Sequence, residues 1–362
     1  MSDRATLANG SDATPAALLI SAQPAKTEMT ETERERVVDE GNKFSKDSGE
    51  AWLLISGKLT SEDGEGQEST DIEIRESLRA AFGNPKEDKA ENTKALNLIV
   101  DSYGGNLDSA YSTVLYLCSY TNHLRVHVPR KAKSASTLFA IGAHSLVMSE
   151  FAELGPLDTQ LPDPRNAATY VSALDCYQSV DYVRTFGINT MIEVLKKLLE
   201  ETDRRVPVGD LLDRASRFAL GSIEPMMQKV SALDFGAWGR SLRIGENYAK
   251  KLLELRDGES DAERIDAIAH RLVYGYTHHL FPIDHHEARD IGLAVERMGD
   301  EQYDGMMQIV RACQDKDFAG FVSGPESKLV AKSRIDGWNQ RRASEERYRE
   351  YAQRARADAG GK

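Results

Sequence analysis

The sequence predicts an α/β protein in which repeated βαβ units build a largely parallel sheet and a mostly helical half follows. Three observations carry this. Leu96-Asn97-Leu98-Ile99-Val100 is a short apolar run without clean alternation, as strands covered by helices on both faces are. Strand and helix patterns then alternate at the pace of βαβ units as far as Met148. From Asn166 onward the apolar spacing turns helical, with few strand candidates.

Element by element, Trp52 to Leu59 reads as the first strand, and the polar stretch Thr60 to Thr70 as a solvated loop. Asp71 to Phe82 spaces Ile72, Leu78, Ala81 and Phe82 as a helix does, and Gly83-Asn84-Pro85 stops it. After the charged loop Lys86 to Lys94 comes the strand Leu96–Val100. Gly104-Gly105 then leads into a helix to Thr121 with Asn106 as its N-cap. Leu124 to Val128 alternates as a strand, Ser134 to Ala143 is a small-residue helix, and Leu146-Val147-Met148 is the next strand. Beyond it, helices are expected over Tyr170–Phe186 and Thr190–Thr202, divided at Gly187. Further helices are expected over Leu211–Ala219, Ile223–Leu233 and Glu246–Leu255, and helical patterning continues from Asp261 to Cys313.

The totals narrow the function classes. With 362 residues, 40% of them apolar, the chain buries a sizeable core. A net charge of -12 argues against nucleic acid or an anionic membrane as partner. Cys118, Cys176 and Cys313 are too widely spaced for a disulfide framework or a zinc site. No apolar run reaches the eighteen or so residues of a spanning helix. The start resembles no signal peptide, and a soluble cytoplasmic protein is expected.

Chemistry concentrates between Leu96 and Leu161. Ser134 follows a strand and opens a helix, which exposes its hydroxyl beside free backbone donors. A serine there either acts as a nucleophile or caps the helix that begins at Ala135. Gly104-Gly105 lets backbone amides approach a reacting carbonyl closely, and with the amide of Ala135 it has the makings of an oxyanion hole. Alone, the glycine pair reads equally as a tight strand-to-helix turn.

Three segments together resemble the serine dehydrogenase proteinase family. They are Asp101-Ser102-Tyr103-Gly104-Gly105-Asn106, Lys133-Ser134-Ala135-Ser136-Thr137-Leu138 and Glu153-Leu154-Gly155-Pro156-Leu157-Asp158-Thr159-Gln160. Those proteins are relatives of signal peptide peptidase A within the Clp-protease/crotonase superfamily. The similarity is strong from about Trp52 to Leu161 and fainter to about Ile335. It implies a ClpP/crotonase-like spiral of βαβ units and a serine endopeptidase acting through an acyl-enzyme. By position, the family's nucleophile falls on Ser134, with Gly104, Gly105 and Ala135 as the oxyanion hole. Its acid falls on Asp158. Its histidine falls in Thr277-His278-His279-Leu280-Phe281-Pro282-Ile283-Asp284, at His279, with His278 one slip away as the alternative base. Peptides or unfolded segments are the implied substrates and a homo-oligomer the implied assembly; no cofactor is implied. A metal site built from His278, His279, His285 and His286 is disfavoured, since adjacent histidines on a strand face opposite ways.

The chain departs from the family at Ser136, where glycine is usual, and in its doubled histidine. The first departure raises a second reading, a ClpP-fold scaffold impaired in catalysis. A Ser-Lys dyad using Lys131, Lys133, Lys196 or Lys197 is a third, although Lys133 is expected to point away from Ser134. An acyl-thioester enzyme of the crotonase branch is disfavoured, because it needs no serine at a helix start. The expected organisation is a mobile arm (1–45), an α/β catalytic core (46–165), a helical region completing the cleft and carrying the histidines (166–335), and a charged tail (336–362).

Overall fold

The computed structural model describes residues 29–45, 50–61, 69–85, 95–163, 166–203, 205–258, 261–313 and 316–323. In chain order the elements are α1 (Glu31–Phe44), β1 (Ala51–Leu59), α2 (Thr70–Phe82), β2 (Leu96–Gly105), α3 (Leu107–Tyr120), β3 (Leu124–Val128) and β4 (Lys131–Ala132). A 3₁₀ turn, Ser134–Ser136, then runs into α4 (Thr137–Gly142), followed by β5 (Ser145–Met148), β6 (Glu153–Leu154), β7 (Gln160–Asp163) and β8 (Asn166–Ser172). The remainder is α5 (Ala173–Glu201), α6 (Val208–Met227), α7 (Ala232–Asp257), α8 (Ala262–Tyr274), α9 (His285–Asp290), β9 (Val295–Arg297), α10 (Asp300–Ala312) and β10 (Phe318–Ser323).

The main sheet has the order β10-β1-β2-β3-β5-β9, and all neighbours are parallel except β10 and β1. Alternate residues of its strands feed two cores. Leu53, Ile55, Leu98 and Val100 join a cluster with α2, α3, α4, α7 and α8. Trp52, Leu54 and Ile99 join a second cluster with α1 and α10. The sheet is thus covered on both faces, which is why Leu96–Val100 lacks an alternating pattern.

Several expectations change. Residues 31–44, expected in a mobile arm with at most a charged helical turn or two over Glu31–Val38, form α1. Thr30 caps this helix in a reciprocal box with Glu33, and Val37 is buried against the second core. Residues 1–28 and the charged tail lie outside the described residues. The helical half does not merely flank the sheet, because it supplies both edge strands, β9 and β10. The β7–β8 hairpin straddles the expected boundary at 165. Tyr170 lies in β8, and Gly187 does not divide two helices. It sits buried inside the continuous α5, where a Cβ would come 3.1 Å from Ile223 Cδ1. Likewise 211–233 is not two short helices: α6 runs unbroken to Met227 with Pro225 inside it. Cys118 and Cys313 are buried, and Cys176 is half-buried. Among the described residues, no helix is long and apolar enough to cross a membrane.

A short branch of the same sheet, leaving β2, places the site. Ser102 near the end of β2 pairs with Ala132 of β4, and Ala132 pairs with Leu154 of β6. Leu154 in turn exchanges backbone hydrogen bonds with Ile283, at 2.8 and 3.1 Å. Four segments distant in sequence therefore leave from one rung.

Candidate active site

Each segment leaving that rung carries a residue singled out in the sequence. Gly104 lies two residues after Ser102, and Ser134 two after Ala132. Asp158 lies four after Leu154, and His279 four before Ile283.

Ser134 is half-buried and holds φ +51°, a left-handed conformation unusual for a residue with a Cβ. It does not cap the following helix: Lys133 and Ser136 occupy the cap positions, and neither start has a side-chain cap bond. Two glycines grip this turn. Gly104, at φ +98°, lies so close that a Cβ would meet Lys133 O at 2.7 Å and Ser134 Cβ at 2.8 Å. A Cβ on Gly155 would stand 2.9 Å from Ser134 N. The Thr137 hydroxyl adds a further tie, lying 2.7 Å from Gly155 O and 2.9 Å from Ala132 O and accepting from Gly155 N–H at 3.2 Å. Gly104 N–H donates to Ser102 Oγ at 3.0 Å, so Gly104 contributes closeness of approach rather than an available donor.

Asp158 is 1% exposed, enclosed by the helical half. Leu157 N–H donates to Leu272 O at the end of α8 at 2.9 Å, and Leu174 N–H in the first turn of α5 donates to Asp158 Oδ1 at 3.0 Å. Asp158 Oδ2 faces His279 Nδ1 across 3.6 Å. Among the described residues neither of these two buried atoms has a hydrogen-bond partner. His279 is 15% exposed at the imidazole, whereas His278 is exposed, its ring tilted against that of Phe281 with centroids 5.9 Å apart.

Asp175 was not singled out in the sequence. Burial pushes its carboxyl up, the charge of Asp158 adds to that, and His279 and His278 oppose it. Its only local signal was its place three residues after the Ser172 cap, where a carboxylate reads as ordinary helix-start chemistry.

The lysine side chains have other contacts or face solvent. Lys131 Nζ lies 3.4 Å from the Tyr103 ring centroid, Lys133 Nζ pairs with Glu153, and Lys196 and Lys197 are exposed on α5. His285 and His286 begin α9, behind the Asp284 cap. Ser136 sits at φ -67°, ψ -18°, ordinary right-handed helix, so a serine stands there without backbone strain. Its hydroxyl is buried without a partner among the described residues.

Comparison with known proteins adds little to this geometry. No family model matches the chain. A curated relative, an uncharacterised protein of Methanocaldococcus jannaschii, is 26% identical over 236 residues. The match covers 65% of this chain and 63% of the relative, so the chain spans slightly less than two thirds of that protein's length. A membrane-bound stomatin-specific protease of known structure is 15% identical with a TM-score of 0.26, over 45% of this chain and 67% of its own.

Proposed function

We propose that this protein is a serine peptidase of ClpP/crotonase-like architecture, with Ser134 as nucleophile, His279 as general base and Asp158 as the acid that orients it. The observation that carries the reading is the Asp158–His279 pair. Two buried polar atoms without other partners among the described residues face each other at 3.6 Å, on segments that leave the same rung as the strained Ser134. Unsatisfied buried groups are costly, and a closure of about half an ångström on substrate binding makes the hydrogen bond.

In this mechanism His279 Nδ1–H donates to Asp158 Oδ2, which leaves Nε2 to accept the Ser134 proton as Oγ attacks the peptide carbonyl carbon. The oxyanion is met by the amides of Gly105 and Ala135, with Gly104 permitting the approach. The C–N bond breaks as Nε2 returns the proton to the leaving amine. Water then attacks the acyl carbon, giving one proton to His279; the ester C–Oγ bond breaks, the carboxylic acid leaves, and Ser134 Oγ takes the proton back from His279. Peptides or unfolded segments bind extended along the Gly104-Gly105 end of β2, where backbone hydrogen bonds give affinity. The chemistry calls for no cofactor. Exposed apolar side chains on α5 and α6, among them Tyr182, Phe186, Phe218 and Leu220, suit a homo-oligomer assembled through the helical half. The ordinary backbone at Ser136 weighs against the scaffold reading, and the Tyr103 and Glu153 contacts of Lys131 and Lys133, with the exposure of Lys196 and Lys197, weigh against a Ser-Lys dyad.

A fluorophosphonate probe tests the proposal. Wild type is expected to take one label per active chain and to cleave unfolded polypeptide, and Ser134→Ala to do neither. Labelling that survives in Ser134→Ala refutes it.

A further inference from the structure

A lysine whose side chain is only 7% exposed immediately precedes the candidate nucleophile. A buried ammonium persists only where its charge and its donors are matched, so its partners indicate what it does there. Lys133 Nζ lies 2.6 Å from Glu153 Oε2 and donates to the Phe281 carbonyl at 3.5 Å. Its backbone is held too: Lys133 N–H donates to Ser102 O at 2.9 Å, and Lys133 O accepts from Ser136 N–H at 3.0 Å. One residue thereby joins all four segments of the site. It reaches β2 through Ser102, the nucleophile turn through its peptide bond to Ser134, the acid turn through Glu153, and the histidine loop through Phe281.

The contact to Phe281 is the consequential one. Phe281 N–H closes a turn onto His278 O at 3.1 Å, and His279 is the second residue of that turn. The loop is held at Ile283 by the bridge to Leu154, and the ammonium reaches it at Phe281 O, 3.5 Å away. We infer that Lys133 is a positioning residue: paired with Glu153, it holds the 278–281 turn so that His279 stays in register with Ser134 and Asp158. This rests on the Ser134–His279–Asp158 reading. With its nitrogen committed to Glu153 and Phe281, Lys133 takes no part in proton transfer. Its loss displaces the base without removing it, and a displacement of about an ångström costs on the order of 10²-fold in rate.

The test is the rate and final stoichiometry of fluorophosphonate labelling, measured on the full chain for wild type, Lys133→Met, Glu153→Gln and the double variant. Lys133→Met is expected to label about 10- to 100-fold more slowly, yet to reach wild-type stoichiometry. Its kcat for peptide falls while KM holds. Glu153, 44% exposed at its side chain, can be replaced without opening the core. Glu153→Gln is expected to slow labelling by less and to add nothing to Lys133→Met in the double variant. A lysine that served only to hold the fold would lower the labelled fraction while the surviving sites reacted at the wild-type rate, and that result overturns the inference. If Lys133→Met does not fold, Glu153→Gln decides: slower labelling at full stoichiometry supports the inference, and a wild-type rate overturns it. Wild type that takes no label at Ser134 refutes the triad itself. Wild type labelled at Ser134 with Lys133→Met equally fast refutes the positioning role alone.

Discussion

Ser134 adopts a left-handed backbone conformation that costs a residue with a Cβ about 1–2 kcal/mol. Gly104 and Gly155 pack so close against the strained turn that a Cβ on either would clash with it. Ser134→Ala and Ser134→Gly should therefore be equally inactive but unequally stable. Glycine relieves the strain and gives back about 0.4–1 kcal/mol through the entropy of the unfolded chain, so it should exceed alanine by about 0.5–1 kcal/mol in urea denaturation. Alanine more stable than glycine by about 0.4–1 kcal/mol would mean that the turn is unstrained. The two adjacent histidines give a second contrast. His279→Gln should lower peptide hydrolysis by about 10²–10⁴-fold, the usual worth of a positioned general base. His278→Gln, at an exposed ring, should change it no more than a few-fold, and the reverse order would move the base to His278. Residue types were legible here because acyl transfer restricts them: a hydroxyl after a strand, glycines facing it, an acid and an imidazole. The geometry among them was not, since it depends on which strands become neighbours.

Among elements, the ladder Ser102–Ala132–Leu154–Ile283 does most to assemble the site, and nothing local in the sequence announces it. β4 and β6 are two residues each, and Ile283 makes a single bridge. Such pairings are specified by distant partners rather than by propensity. The same reason hid β9, three residues long, and β10, which becomes a strand because β1 presents an edge. By contrast β2, α3 and β3 were readable, because burial on both faces, an apolar helical stripe and the Asn106 cap are local signals. Gly187 misled for a physical reason. A mid-helix glycine costs about 1 kcal/mol in propensity and so reads as a break, but here it makes room for Ile223. Thr137 tests the coupling between elements, since its hydroxyl ties α4 to the turn that leads to Asp158. Thr137→Val keeps the shape and leaves Gly155 N–H buried without its acceptor, a loss of about 1–3 kcal/mol. Thermal unfolding should show that loss together with slower labelling of Ser134. An unchanged labelling rate in a destabilised variant would show that the acid turn keeps its place without the tie.

Across the whole molecule, the two faces of the sheet divide the labour: one carries the helices that enclose Asp158, and the other is closed by α1 and α10. The second face holds a buried polar chain that makes stability depend on pH. His127 packs 4.9 Å from the Trp52 ring. Its Nε2–H donates to Asn97 Oδ1 at 3.1 Å, and its Nδ1 accepts from Gln302 Nε2 at 3.4 Å. Asn97 Nδ2 donates onward to Glu50 at 2.8 Å, a carboxylate that also pairs with Arg125 at 3.2 Å. In this arrangement the imidazole is neutral, with one nitrogen donating and the other accepting, and a second proton would meet a donor. Burial, helped by the charge of Arg125, pushes its pKa down to about 3. The unfolded chain then binds a proton that the folded chain refuses between the ordinary value near 6.5 and about 3. The stabilisation is fully present above about 6.5 and is lost as the pH falls through that window, by about 1.4 kcal/mol per pH unit while one proton separates the states. Replacing His127 with glutamine, which keeps a donor and an acceptor but cannot titrate, should lower stability at pH 7 and flatten its decline between about pH 6 and 4 by that slope. Urea unfolding of both proteins across this range measures the difference. Parallel curves would mean that His127 is protonated in the fold, and the acid sensitivity would then belong to carboxylates such as Glu33, held down to about 2 chiefly by its hydrogen bond to Lys316.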